Sequence, residues 1–233
     1  MNPAERIADN LKTVRQRIDE AAVRSGRSSA DVQLITVSKY VDATIAQLLV
    51  NAGCHHLGES RPQQLWEKAA ALDTSDVRWH LICHLQRNKI RRTLPHTSLI
   101  HSVDSCATLT AVDRVAGELG VQSQVLIEVN VSGDDEKHGV ISDKVEPILS
   151  AAASLDSVHV RGLMTMAALG RDLDVARRNF ATLRRLRDQL ASICPDNVSL
   201  DELSMGMSGD FDVAIEEGAT LVRVGSALYE GLA

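Results

Sequence analysis

Aromatic side chains are scarce: two Trp, two Tyr and two Phe in 233 residues, 3% of the chain. Any core must therefore be filled by Val, Ile, Leu and Ala, which with Met, Cys and the aromatics reach 44% of the sequence. That is enough for one sizeable core, as one large domain or two small ones. Excess positive charge is missing too: the net charge of −6 argues against a general nucleic-acid surface, which needs a basic face. Cysteine is sparse and scattered, at Cys54, Cys83, Cys106 and Cys194, with no C-x-x-C pair, so reduced thiols in a cytoplasmic protein are expected. No apolar run reaches the length of a membrane span, and the N-terminus is polar and helical where a secretory leader would be apolar; neither membrane nor export is expected. No Pro/Gly-rich linker or low-complexity stretch marks a second domain.

What is present is an unbroken alternation. Asn2-Pro3 places a capping residue before a proline at the first helical position. Ile7, Leu11, Val14 and Ile18 then share one face of a helix that stops near Gly26. From Leu34 onward, strand patterns at 34–38, 55–58, 77–83, 98–103, 124–131, 159–165, 199–204 and 221–225 alternate with helical ones at 42–52, 62–71, 86–93, 105–119, 142–154, 172–193 and 209–217. In the helix at 172–193, Leu183, Leu186, Leu190 and Ile193 form the expected buried stripe, with Arg177, Arg178, Arg184, Arg185 and Arg187 on a solvated face. Alternation of this kind predicts a parallel α/β arrangement. A dinucleotide G-x-G-x-x-G after the first strand is lacking. Eight units in about 200 residues match the lower size limit of a (β/α)₈ barrel. The sequence is thus read as one barrel domain over residues 1–233, with residues 1–27 as a helix packed on it.

Two places carry chemistry. Lys39 follows the β-branched run Leu34-Ile35-Thr36-Val37-Ser38, at the carboxyl end of a strand, where barrel enzymes keep their reacting groups. An amine partly withdrawn from water there is suited to forming a Schiff base with an aldehyde; the plain alternative is a lysine snorkelling out of a strand end. The segment Leu203-Ser204-Met205-Gly206-Met207-Ser208-Gly209-Asp210 joins the seventh strand to a helix, and Val222-Arg223-Val224-Gly225-Ser226 closes the eighth. Glycines free backbone N–H groups to turn inward and serines add hydroxyls, a phosphate cradle of the kind barrels build after strands seven and eight. Those glycines could equally serve only tight turns. Barrel closure makes the cradle a neighbour of Lys39. One small molecule satisfies both ends: pyridoxal 5′-phosphate.

At these residues the chain resembles the pyridoxal phosphate homeostasis protein family (the YggS/PROSC type), single-domain relatives of the alanine racemase barrel. The likeness runs through Val37-Ser38-Lys39, His56-Leu57-Gly58-Glu59, Trp79-His80-Leu81-Ile82, Leu85-Gln86-Arg87-Asn88-Lys89 and Ile100-His101-Ser102-Val103-Asp104. It continues through Glu128-Val129-Asn130-Val131-Ser132, Arg161-Gly162-Leu163-Met164-Thr165-Met166 and the two glycine turns above. It implies a fold-type III pyridoxal phosphate barrel with the cofactor as an aldimine on Lys39. Ser208, Gly225 and Ser226 would hold the phosphate, Ser204 and Gly206 would shape the cradle, and Arg223 would face the pyridine nitrogen. Ser60, His80 and Met164 are further implied contacts. Two departures stand out: Ser60 occupies a position usually held by Asn, and Cys83 replaces a glycine and is expected to be a buried spectator thiol.

A cation opposite the ring nitrogen weakens the ring as an electron sink. Racemases of this barrel class also use a second domain that supplies a catalytic tyrosine from a partner subunit, and the chain ends at Ala233, soon after the eighth strand. Tyr40 should point away from the pocket and Tyr229 should pack at the barrel end. The expectation is a monomeric carrier in pyridoxal phosphate homeostasis that delivers the cofactor to apo enzymes, with no catalytic residue assigned. A low-activity racemase-like enzyme is the alternative. A metal-dependent barrel hydrolase is the rival of another class, but no H-x-H or H-E-x-x-H is present, and no metal ligand is assigned. A sugar-phosphate aldolase would explain Lys39 and the cradle, but not Arg223.

Overall fold

The computed structural model describes residues 2–72, 76–134, 138–167, 172–195 and 198–232. Eight strands close a parallel barrel in sequence order: β1 (Gln33–Val37), β2 (His56–Glu59), β3 (Arg78–Leu81), β4 (Leu99–Val103), β5 (Ser123–Glu128), β6 (Val158–Met164), β7 (Val198–Ser204) and β8 (Leu221–Val224). β8 pairs back onto β1 through Gln33↔Leu221 to Thr36↔Val224, which closes the ring. The helices are α1 (Pro3–Arg24), α2 (Ala43–Asn51), α3 (Pro62–Ala71), α4 (Ile90–Thr93), α5 (Cys106–Leu119), α6 (Val145–Ala152), α7 (Leu173–Ala191) and α8 (Phe211–Glu216). This is the expected (β/α)₈ barrel, with each strand within a few residues of its expected place.

α1 begins as the Asn2-Pro3 pair demands: the Asn2 side chain accepts from the Glu5 N–H, and the Glu5 carboxylate accepts from the Asn2 N–H. Its buried face, Ile7, Leu11, Val14, Ile18, Ala21 and Ala22, joins the main core between the barrel and its helices. On α7 the buried stripe runs through Ala176, Phe180, Leu183 and Leu190; Leu186 is only half-buried. Ile193 is exposed, because the helix ends at Ala191. The arginine face of α7 is more than solvated. Arg177 pairs with Glu216 of α8 and with Glu217 just after it, and Arg184 with Glu217.

The barrel interior divides into two halves. Ile35, Leu99, Leu126, Met164 and Leu221 make a small apolar plug. Beside it sits a polar line of His80, His101, Ser204 and Arg223, all buried.

Candidate functional site at the barrel mouth

β1 ends at Val37, and Ser38-Lys39-Tyr40 turns out of the barrel's C-terminal rim, closed by a Val41 N–H to Ser38 O bond of 3.1 Å. Lys39 is half-buried there. Its neighbour Ser38 is fixed from behind. The Ser38 hydroxyl donates to Glu59 Oε1 at 2.8 Å, and the Lys68 ammonium of α3 donates both to the Ser38 carbonyl at 2.7 Å and to the same Glu59 oxygen. Glu59 and Lys68 are both buried, so their charges must be paired to be tolerated at all. At Tyr40 strand alternation has already stopped, since β1 ends at Val37. The exposed Tyr40 ring lies 4.7 Å from Lys39 Nζ.

The turn after β7 is shaped by Gly206. Its φ of +91° suits glycine, and a Cβ there would lie 2.6 Å from Ala214 Cβ. The Gly206 carbonyl accepts from the Arg223 N–H at 3.1 Å, which ties this turn to β8. α8, expected over 209–217, spans only Phe211–Glu216. On the loop after β8 the arrangement is tighter. There the N–H groups of Gly225 and Ala227 converge on the Ser208 hydroxyl oxygen at 3.2 and 3.4 Å. Two backbone donors thus converge on one hydroxyl oxygen where the two glycine turns meet. Ser226 is exposed at the head of the 3₁₀ turn Ser226–Leu228. A Cβ on Gly225 would lie 3.3 Å from Val37 Cβ, and Tyr229, at the barrel end as expected, donates its hydroxyl to Val37 O at 2.9 Å. The turn after β8 is thus fastened to the end of β1, just before Lys39.

Between the two lies Arg223, 4% exposed. Its Nη1 donates to Ser204 Oγ at 2.5 Å and its Nη2 to the Thr165 carbonyl at 2.9 Å. Burial lowers its pKa to about 10, with Glu128 and Asp210 acting against that through space, so it stays a cation at neutral pH. Burial also raises Glu128, at the end of β5. The Ser204 hydroxyl is committed to Arg223 and to His101, 2.8 Å away. Met164 packs in the apolar plug, His80 lies deeper among the histidines, and Ser60 is half-buried in the bend after β2. Cys83 is exposed, not buried: β3 stops at Leu81, and the thiol sits in the loop beyond, where the Cys83 carbonyl accepts from Ser102. Among the described residues, no three His, Cys, Asp or Glu side chains converge to hold a metal ion.

Sequence reading assigned Lys68, His101 and Thr165 no role, although the last two stand in the motifs that carry the family likeness. Lys68 left one signal, as the single cation on the otherwise apolar inner face of the 62–71 helix. Thr165 contributes its backbone carbonyl, for which sequence carries no signal.

The fold and site define a parallel barrel with an amine, a buried guanidinium and two Gly/Ser turns at its C-terminal mouth. Residues 4–232 match the alanine racemase N-terminal domain model. A protein of Aquifex aeolicus called pyridoxal phosphate homeostasis protein is 38% identical over 229 residues, 98% of each chain, and one of Escherichia coli with the same name is 33% identical over 96% of this chain and 95% of its own. PipY of Synechococcus elongatus, solved with pyridoxal phosphate bound, superposes with a TM-score of 0.85 at 37% identity, covering 96% of this chain and 99% of its own. Alanine racemase of Clostridium difficile, at 16% identity and a TM-score of 0.76 over 95% of this chain and 59% of its own, shares the fold. The chain belongs to the pyridoxal phosphate homeostasis protein family, within the wider alanine racemase N-terminal domain family.

Proposed function

We propose that this protein binds pyridoxal 5′-phosphate at the barrel mouth and holds it for intracellular homeostasis, delivering it to apo enzymes that need it. The observation that carries the reading is the attachment of the cradle loop to the end of β1, through Gly225 against Val37 and Tyr229 on the Val37 carbonyl. A phosphate on the Gly225 and Ala227 N–H groups then lies beside Lys39 on the neighbouring strand end. When bound, the cofactor supplies an aldehyde that condenses reversibly with an amine, with loss of water. The residues present fit it: Lys39 offers the amine, Ser208 and Ser226 the hydroxyls of the cradle, and Arg223 a cation whose two hydrogen-bond partners are uncharged. A ring nitrogen facing that cation has no proton to gain. This supports capture and release over turnover on amino acids.

The test has two parts. Purified protein titrated with pyridoxal phosphate should develop a visible band, and the loaded protein mixed with an apo pyridoxal-phosphate enzyme should restore that enzyme's activity. Steady-state amino-acid turnover at rates typical of enzymes, roughly 1–10³ per second, would contradict the carrier reading.

A further inference from the structure

We propose that His56, His80 and His101 form a hydrogen-bonded chain of fixed direction through the barrel interior, which positions Arg223 by way of Ser204. His56 lines a cavity of about 460 Å³ at the lower end of the barrel, with Gln33, Arg78 and Arg161. From there His56 Nδ1 lies 2.9 Å from His80 Nε2, His80 Nδ1 lies 3.0 Å from His101 Nε2, and His101 Nδ1 lies 2.8 Å from Ser204 Oγ. The last step crosses the interior from β4 to β7, so the chain links the lower opening to the group beneath the mouth.

The direction follows from Arg223, which can only donate. Its Nη1 donates to Ser204 Oγ; that hydroxyl is fully buried, and among the described residues His101 Nδ1 is the acceptor within reach of its proton, so Nδ1 is bare. The His101 proton is therefore on Nε2 and goes to His80 Nδ1. His80 in turn donates from Nε2 to His56 Nδ1, and His56 keeps its proton on Nε2. Burial keeps all three rings neutral: it lowers His56, takes His80 down to about 3, and holds His101 well below its ordinary value. A shape-filling role needs none of this, since the other half of the interior is filled by Ile35, Leu99, Leu126, Met164 and Leu221. Imidazoles buried in such company are costly unless every ring nitrogen is paired, and here each one inside the chain is. By accepting the Ser204 proton, His101 fixes the hydroxyl's orientation and with it the lone pair that meets Arg223. With Nη2 on the Thr165 carbonyl, the guanidinium is fixed at two nitrogens. His101 and His80 are positioning residues; that Arg223 then meets a pyridine ring rests on the cofactor reading above.

The full chain, labelled with ¹⁵N-histidine and free of ligand, tests the direction by long-range ¹H–¹⁵N correlation at neutral pH. All three histidines should carry their proton on Nε2 alone. A proton on Nδ1 of His80 or His101 overturns the proposal. Pyridoxal phosphate titrations then test the positioning. Ser204→Ala and His101→Phe should bind about three- to tenfold more weakly and shift the visible band, while His101→Asn, which can still accept from Ser204, recovers most of both. Wild-type affinity and spectrum in both Ser204→Ala and His101→Phe overturn the positioning role; should His101→Phe fail to fold, Ser204→Ala decides. A wild-type protein that develops no band refutes the reading of the mouth instead, and the histidine protons still decide the chain.

Discussion

A valine at position 225 would press its branched side chain against Val37, whose Cβ is already only 3.3 Å from the place of a Cβ on Gly225. It would also crowd the N–H groups the phosphate needs. Gly225→Val should therefore weaken pyridoxal phosphate binding more than Ser208→Ala, which removes one hydroxyl from the cradle. Each charge-assisted hydrogen bond lost is worth roughly 1.5–3 kcal/mol, or about ten- to a hundredfold in affinity. Unchanged affinity in both variants would place the phosphate elsewhere. The pair behind Lys39 is a second residue-scale case. Lys68→Met would leave Glu59 buried without its cation, with Oε2 already lacking a partner among the described residues. Breaking a buried pair from one side costs about 3–5 kcal/mol, which urea unfolding would register directly. A loss below about 1 kcal/mol would show that the pair is not held in the buried state seen here.

The elements were legible because most barrel strands carry an apolar run and the longer helices a periodic stripe, and these patterns are local. Errors fell where an element ends for reasons outside itself. Ile193 lies beyond the last turn of α7, and Cys83 lies past the strand thought to bury it. α8 is short, yet it is held from outside: Arg24 of α1 pairs with Glu216, and Arg27 donates to the Ile215 and Ala219 carbonyls. The interior of the barrel was the least legible part. His56, His80 and His101 sit on three different strands, and only closure of the sheet brings them into one line with Ser204 and Arg223. That line has a pH signature. Burial depresses His80 from 6.5 to about 3, so the stability tied to its neutral form is complete above 6.5 and is lost as pH falls toward 3. Between about pH 7 and about pH 5, wild-type protein should lose more unfolding free energy than His80→Gln, which has no ring to protonate. Equal losses would mean that the ring is not buried as described.

For the molecule as a whole, the proposed cofactor site is assembled from opposite ends of the chain. Lys39 comes from β1, while Ser208, Arg223, Gly225 and Ser226 come from the loops and strands of the last units. The residue types and their order were readable, since a lysine at a strand end and two Gly/Ser turns are sequence features. Their union depends on the β1–β8 pairing, which no local pattern encodes. Nor could sequence show that the Gly225 and Ala227 N–H groups converge on the Ser208 hydroxyl. Membership of a family whose curated members are called pyridoxal phosphate homeostasis proteins supports a carrier built on this site. The central claim is that Lys39 is the residue that takes the aldehyde. It is tested most directly by loading the protein with pyridoxal phosphate, reducing with borohydride and mapping the labelled peptide by mass spectrometry. The account predicts a single label on Lys39, and no label with loss of the visible band in a folded Lys39→Ala protein. A label on another lysine such as Lys89, or a visible band that survives Lys39→Ala, would contradict it.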